Sequence, residues 1–339
     1  MKFEIEGKYH VGYIISHRND IAILVKGYTR AAELNFAKQF NGNEDWQLKY
    51  SYPYFGLSLF YFDFSNAENL GNAMASCFYW DYPITRGEKF QLAFKLGIGF
   101  GYVEKIFHPK ENYKNYATST HLNGFAHLNL KTRYRFNKHV DATFGLSFSH
   151  FSNASYRKPN LGMNIPALNI GVGYSFIEVD RKPLKEKSAY TFDRSWSHDV
   201  ILSYGSTEKN PIGGHAYNVF SLAYAYTKRF SFKSRAGLGA DLSYNESLIG
   251  ELNTNGDTIT EKNEQLQAGL SLGYYFQIEN FTFLVNQGAY LYSQLNGAGT
   301  LYNRWGVRYV LKEHIIFNLS MRTHLAVADH IEYGLGYRF

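Results

Sequence analysis

The 339-residue chain has one cysteine, Cys77, only seven prolines, and no run of 18 or more apolar residues. A lone cysteine excludes an intrachain disulfide and leaves the redox compartment unreadable. The missing apolar run excludes a membrane-spanning helix, which needs about 20 such residues. The opening segment Met1–Gly7 has no apolar stretch either, so the expectation is a mature chain whose signal peptide is gone. Phosphate-loop and dinucleotide fingerprints are missing too. Asn255, Asp257 and Glu261 are too sparse for a calcium loop, so no metal and no cofactor is expected. Lysine and arginine exceed aspartate and glutamate to leave a net charge of +6. These basic residues are scattered rather than gathered into a stripe, which argues against nucleic acid and leaves an anionic lipid surface or glycolipid as partner.

Aromatic residues and glycine are abundant, with 29 Tyr, 27 Phe and 30 Gly. They fall on a strict two-residue period. Phe90, Leu92, Phe94, Leu96, Ile98, Phe100 and Tyr102 share one face, against Gln91, Lys95, Gly97, Gly99 and Gly101 on the other. Leu128, Leu130, Tyr134 and Phe136 likewise oppose His127, Asn129, Lys131, Arg133 and Arg135. Alternation of this kind marks strands. Long strands with apolar residues on one face and lysine or arginine on the other fit a closed antiparallel transmembrane β-barrel, whose closure also removes aggregation-prone edges. The alternation reaches the C-terminal residue through Ile331, Tyr333, Leu335, Tyr337 and Phe339, which resembles the terminal strand of bacterial outer-membrane barrels.

About sixteen strands can be traced, from roughly 4–15 to 329–339. The expectation is a single barrel of about 14–16 strands spanning residues 1–339, with a wet, polar lumen. The alternative is two tandem eight-stranded units joined by the charged stretch 178–197. One echo favours the alternative: Gly171-Val172-Gly173-Tyr174-Ser175-Phe176 is matched by Gly334-Leu335-Gly336-Tyr337-Arg338-Phe339.

One strand end carries chemistry. Val140, Ala142, Phe144, Leu146 and Phe148 form a greasy face that His150 and Ser152 continue. Residues i and i+2 on a strand lie roughly 7 Å apart on one side, at about 3.3 Å per residue, so an imidazole and a hydroxyl share a face turned toward lipid. That is what nucleophilic acyl transfer requires: a weak hydroxyl nucleophile beside a base. An ester lodged in a membrane is the substrate this placement suggests. Asn153 and the loop N–H groups near Ala154 are oxyanion-donor candidates by position. His121 and the row His127, Lys131, Arg133 and Arg135 have the opposite parity and read as structural lumen residues, or alternatively as an anion path.

His150-Phe151-Ser152-Asn153-Ala154, followed by Pro159-Asn160-Leu161-Gly162 and a terminal-looking strand ending at Phe176, resembles the lipid A 3-O-deacylase family of outer-membrane barrels. It is closest in texture to the longer acyloxyacyl hydrolases. The resemblance covers roughly 1–178, leaving 198–339 as additional strands of the barrel. It implies an outer-membrane esterase that acts without cofactor on an acyl chain of lipid A in lipopolysaccharide, at the outer leaflet. Ser152 would be the nucleophile and His150 the general base. The family's third member is a Glu twelve residues after the serine; here that position is Asn164, which shares the parity of Leu168, Ile170 and Val172. An amide can fix the imidazole tautomer but gives the imidazolium no full counter-charge, so slower turnover is expected. The competing reading is a channel or transporter whose conductance depends on Lys95, Lys131 and Arg133.

Overall fold

The computed structural model describes residues 2–85, 87, 89–176, 192–209, 212–253, 255–295, 300–325 and 327–339. Among these, all long elements are strands, and no helix is long and apolar enough to cross a membrane. The strands close into two separate antiparallel barrels.

The first barrel comprises β1 (Lys2–Gly12), β2 (Thr29–Gln39), β3 (Tyr54–Asp63), β4 (Asn72–Pro83), β5 (Phe90–Val103), β6 (Leu122–Arg135), β7 (Val140–Ser152) and β8 (Met163–Ser175). The ring closes when β8 returns to β1, with Ser175 opposite Glu4 and Ala167 opposite Gly12. Each strand is built as the alternation predicts. In β2, Thr29, Ala31, Glu33, Asn35, Ala37 and Gln39 point in, whereas Leu34 and Phe36 point out. Leu146, Leu168, Ile170 and Val172 form part of an exposed apolar surface, a pattern that suits hydrocarbon outside and polar groups inside.

The interior is filled, which corrects the wet lumen. Fully buried Lys95 bonds the Glu33 carboxylate, Asn35 Oδ1 at 2.7 Å and Ser58 Oγ at 2.7 Å. Lys131 lies 2.7 Å from Asp81 and 3.4 Å from Glu6, and Arg133 lies 3.1 Å from Glu4. His127 Nδ1 is 2.9 Å from Ser149 Oγ, and Arg135 donates to Gln91. The inward parity holds, and eight strands enclose only enough space for side chains. Lys95, Lys131 and Arg133, the cations on which conductance would depend, are tied up in ion pairs. Toward the end where β7 finishes, an apolar layer takes over: Phe60, Phe62, Phe64, Phe125, Phe151, Met163 and Ile165 pack with Ile14, Ile21 and Leu24. Ile21 comes from α1 (Asn19–Ala22), a single helical turn in the β1–β2 connection.

The second barrel comprises β9 (Trp196–Glu208), β10 (Ala216–Arg229), β11 (Ser234–Asn245), β12 (Leu266–Ile278), β13 (Phe281–Ser293), β14 (Leu301–Leu311), β15 (Ile315–His324) and β16 (Val327–Arg338). It closes from β16 to β9, with Arg338 opposite Asp199. Its interior is also ionic: Arg304 meets Glu332 at 2.6 Å and Asp241 at 2.5 Å, and Tyr302 donates to Asp241 at 2.6 Å. The compact unit built on this barrel also includes Ala154–Lys158.

The single-ring expectation is therefore replaced by the tandem alternative. Once β8 occupies the free edge of β1, the first sheet has no edge left for β9 to join, and β9 pairs with β16 instead. The GxGYxF echo is the chain's record of this, because each copy ends the strand that closes a ring. Most of the stretch 178–197, singled out as a joint, lies outside the described residues.

Candidate active site

β7 and β8 are joined by residues 153–162, and the candidate residues cluster at this hairpin. Alternation along β7 sends Phe151 inward and its neighbours His150 and Ser152 outward. Phe151 has no exposed surface and packs edge-on against Phe62 at 5.2 Å and at a tilt against Phe125 at 4.8 Å. The hydroxyl and the imidazole are thus mounted on either side of a residue locked in the core. The half-buried outward positions of both match their sequence parity.

Asn164 faces His150 directly across the β7–β8 ladder. Its Oδ1 lies 2.7 Å from His150 Nδ1. An amide oxygen only accepts, so this bond places the proton on Nδ1 and leaves the Nε2 lone pair available as a base. Where the family pattern carries a Glu, an uncharged amide thus meets the imidazole.

The second half of the site comes from the loop. Asn160 donates from Nδ2 to Ser152 Oγ at 2.9 Å, while its Oδ1 accepts the Asn153 backbone N–H at 3.0 Å. Asn153 is buried, and its own amide donates to Thr120 Oγ1 at 3.1 Å and Ser119 Oγ at 3.4 Å. The side chain proposed by position as an oxyanion donor is thus turned toward neighbouring hydroxyls, and the amide brought to the serine is that of Asn160. Pro159-Asn160-Leu161-Gly162 was visible as a motif, but spacing along a loop cannot say which of its side chains folds back.

Ala154 and Ser155 both adopt positive φ, +51° and +66°, a strained choice for residues with a Cβ. Gly162, at φ +73°, lies directly behind the base: a Cβ there would sit 3.1 Å from His150 Cε1. Leu161 and Gly162 donate to the carbonyls of Tyr116 and Ala117, and Ile15 donates to that of Asn164. These backbone bonds tie the hairpin to its neighbouring loops. On the outward side, Gly124 and Ala126 of β6 stand opposite Ser152 and His150, so only small side chains flank them there. His121 is exposed rather than luminal; its Nδ1 lies 2.8 Å from the Val103 carbonyl and its ring stacks on Tyr102. No group of side chains among the described residues could hold a metal.

Two family models divide the chain at the same place as the barrels. Residues 30–173 match the lipid A 3-O-deacylase, and residues 196–339 match the acyloxyacyl hydrolase C-terminal domain. The chain belongs to the lipid A 3-O-deacylase family. With an exposed apolar surface on both barrels, it is a protein of the bacterial outer membrane. Among solved structures, it is similar to the outer membrane enzyme PagL, at 16% identity over 49% of this chain and 97% of that one, with a TM-score of 0.37. It also aligns with a mutant of the Rhodopseudomonas blastica porin, at 12% identity over the whole of both chains, with a TM-score of 0.20. No curated protein matches significantly.

Proposed function

We propose that this family member hydrolyses an ester-linked acyl chain of lipid A at the outer leaflet. The observation that carries this reading is the 2.7 Å bond from Asn164 to His150 Nδ1, which leaves Nε2 as a base on the lipid-facing side of β7 beside Ser152. Ser152 Oγ attacks the ester carbonyl while His150 Nε2 takes its proton. The tetrahedral oxyanion forms next to the Asn160 amide, which is already directed at the serine and acts as donor. Collapse expels the sugar alkoxide, which recovers the proton from His150. A water activated by the same imidazole then releases the fatty acid from Ser152. Asn164 holds the tautomer throughout but adds no negative charge to stabilise the imidazolium, so turnover is slower than with a carboxylate.

The test is mass spectrometry of lipid A incubated with the detergent-purified protein, beside Ser152→Ala and His150→Ala. Loss of one acyl mass with the parent alone supports the reading. Equal loss with Ser152→Ala removes the serine from it, and no loss with a folded parent refutes hydrolysis.

A further inference from the structure

The backbone contacts between β1 and β8 run past Gly12. Tyr13 donates its N–H to the Pro166 carbonyl at 3.3 Å, and Ile15 donates to that of Asn164 at 2.8 Å, the two-residue step of an antiparallel ladder. The next rung, at residue 17, is made differently. The His17 backbone N–H turns back to the Ile15 carbonyl at 2.9 Å, and the side chain reaches across in its place. His17 Nε2 lies 3.1 Å from the Leu161 carbonyl, while Nδ1 lies 3.1 Å from that of Ile15. A carbonyl oxygen only accepts, so Nε2 is the donor to Leu161. Every residue of this arrangement belongs to the first barrel's own compact unit.

Leu161 stands between the two loop residues that meet the reacting pair. Asn160 donates to Ser152 Oγ at 2.9 Å, and Gly162 lies behind His150, where a Cβ would come within 3.1 Å of Cε1. The N–H groups of Leu161 and Gly162 donate to the carbonyls of Tyr116 and Ala117 at 3.0 and 2.9 Å. The peptide joining Leu161 to Gly162 is thereby held at both poles, its N–H by Ala117 and its C=O by His17. Of these bonds, that of His17 is made by a side chain and can be removed by substitution. The Leu161 side chain packs against the apolar layer, and His17 itself is exposed, so the barrel does not depend on the bond for its core. We infer that His17 is a positioning residue for the serine site: its ring straps the β1–β2 connection to the Leu161 carbonyl and so fixes Asn160 against Ser152 and Gly162 against His150. The inference rests on the hydrolase reading for its kinetic consequence and on the hydrogen bonds alone for the strap.

The full-length parent, His17→Met and His17→Gln are compared in detergent, each checked for folding by heat-modifiable migration. Methionine fills similar space without a donor, whereas the glutamine amide can still donate to Leu161. Amide hydrogen exchange at Leu161 and Gly162 reads the strap, and lipid A deacylation reads its consequence. His17→Met is expected to exchange about fivefold faster at these two amides, the effect of one lost hydrogen bond. Its kcat is expected to fall about fivefold with KM little changed, as displacement of a positioned group predicts. His17→Gln is expected to recover most of the protection and of kcat; should the methionine variant not fold, His17→Ala takes its place in the comparison. Unchanged exchange overturns the strap. Faster exchange with unchanged kcat overturns the positioning role, as does a glutamine variant that folds, keeps the exchange protection and loses as much kcat as methionine. A parent that does not deacylate refutes the hydrolase reading instead, while the exchange comparison still decides on the strap.

Discussion

The two barrels place very different hairpins at the same point of the ring. In the first, β7 and β8 are separated by ten residues, 153–162, and His150, Ser152 and Asn164 lie on the outer face. In the second, β15 ends at His324 and β16 begins at Val327, which stands opposite it. Polar chemistry is plentiful there as well, but Arg322, Asp329 and His330 are buried in the interior network, where Arg322 donates to Ser243 and His330 meets Asp329 at 3.2 Å. A register shift between Arg322 and Thr323 accompanies this inward turn. Because strand side chains alternate, one residue of register decides whether a histidine meets lipid or a carboxylate. The scaffold is common to both barrels, and the site is a property of one hairpin.

The comparison is most exposed to single substitutions at the two hairpins. Ser152→Ala and His150→Ala are each expected to lower deacylation at least about a thousandfold, as loss of a nucleophile or its base does. His324→Ala, at the corresponding place in the second barrel, should leave the rate unchanged in the same lipid A assay. A comparable loss with His324→Ala would end the distinction. The next largest effect concerns what the barrels share. Lys95→Met removes the lysine from Glu33 and leaves it the His10 contact at 2.7 Å, and Arg304→Met removes the guanidinium that joins Asp241 to Glu332, leaving Tyr302 on the first and Arg322 at 3.6 Å on the second. Each should cost about 3–5 kcal/mol, read as a lower unfolding midpoint in detergent; no shift for either would mean that the interior pairs contribute little.

Smaller effects sharpen the site itself. Asn164→Glu restores the carboxylate that the family pattern carries and should raise kcat about tenfold by stabilising the imidazolium. Asn164→Ala should lower it, and equal rates for all three proteins would remove Asn164 from the mechanism. Gly162→Ala forces a Cβ into a φ of +73° and against His150, for about 1 kcal/mol of stability and a modest loss of kcat. An unperturbed His150 ring signal in the NMR spectrum of that variant would contradict the packing.

The strands were legible because alternation reports the environment of each face, and every expected outward residue at the site, His150, Ser152 and Asn164, is where parity puts it. Ring closure was not legible in the same way. Pairing of Glu4 with Ser175 joins residues far apart in the chain, and alternation says nothing about which strand is whose neighbour; only the repeated GxGYxF ending hinted at two closures. The filled interior escaped for a related reason. Lys95, Lys131 and Arg133 look identical in sequence whether they line water or meet Glu33, Asp81 and Glu4, and ring size decides which. Asn160 was hidden because its role depends on a loop folding back on the strand it follows.

The ion pairs that fill the first barrel carry one more consequence. With Lys95 buried against Glu33, Asn35 and Ser58, and an apolar layer around Phe125 and Phe151 above them, the ring offers solutes no passage. The first barrel can therefore hold its outward-facing hairpin in a membrane without opening a solute path through its own ring.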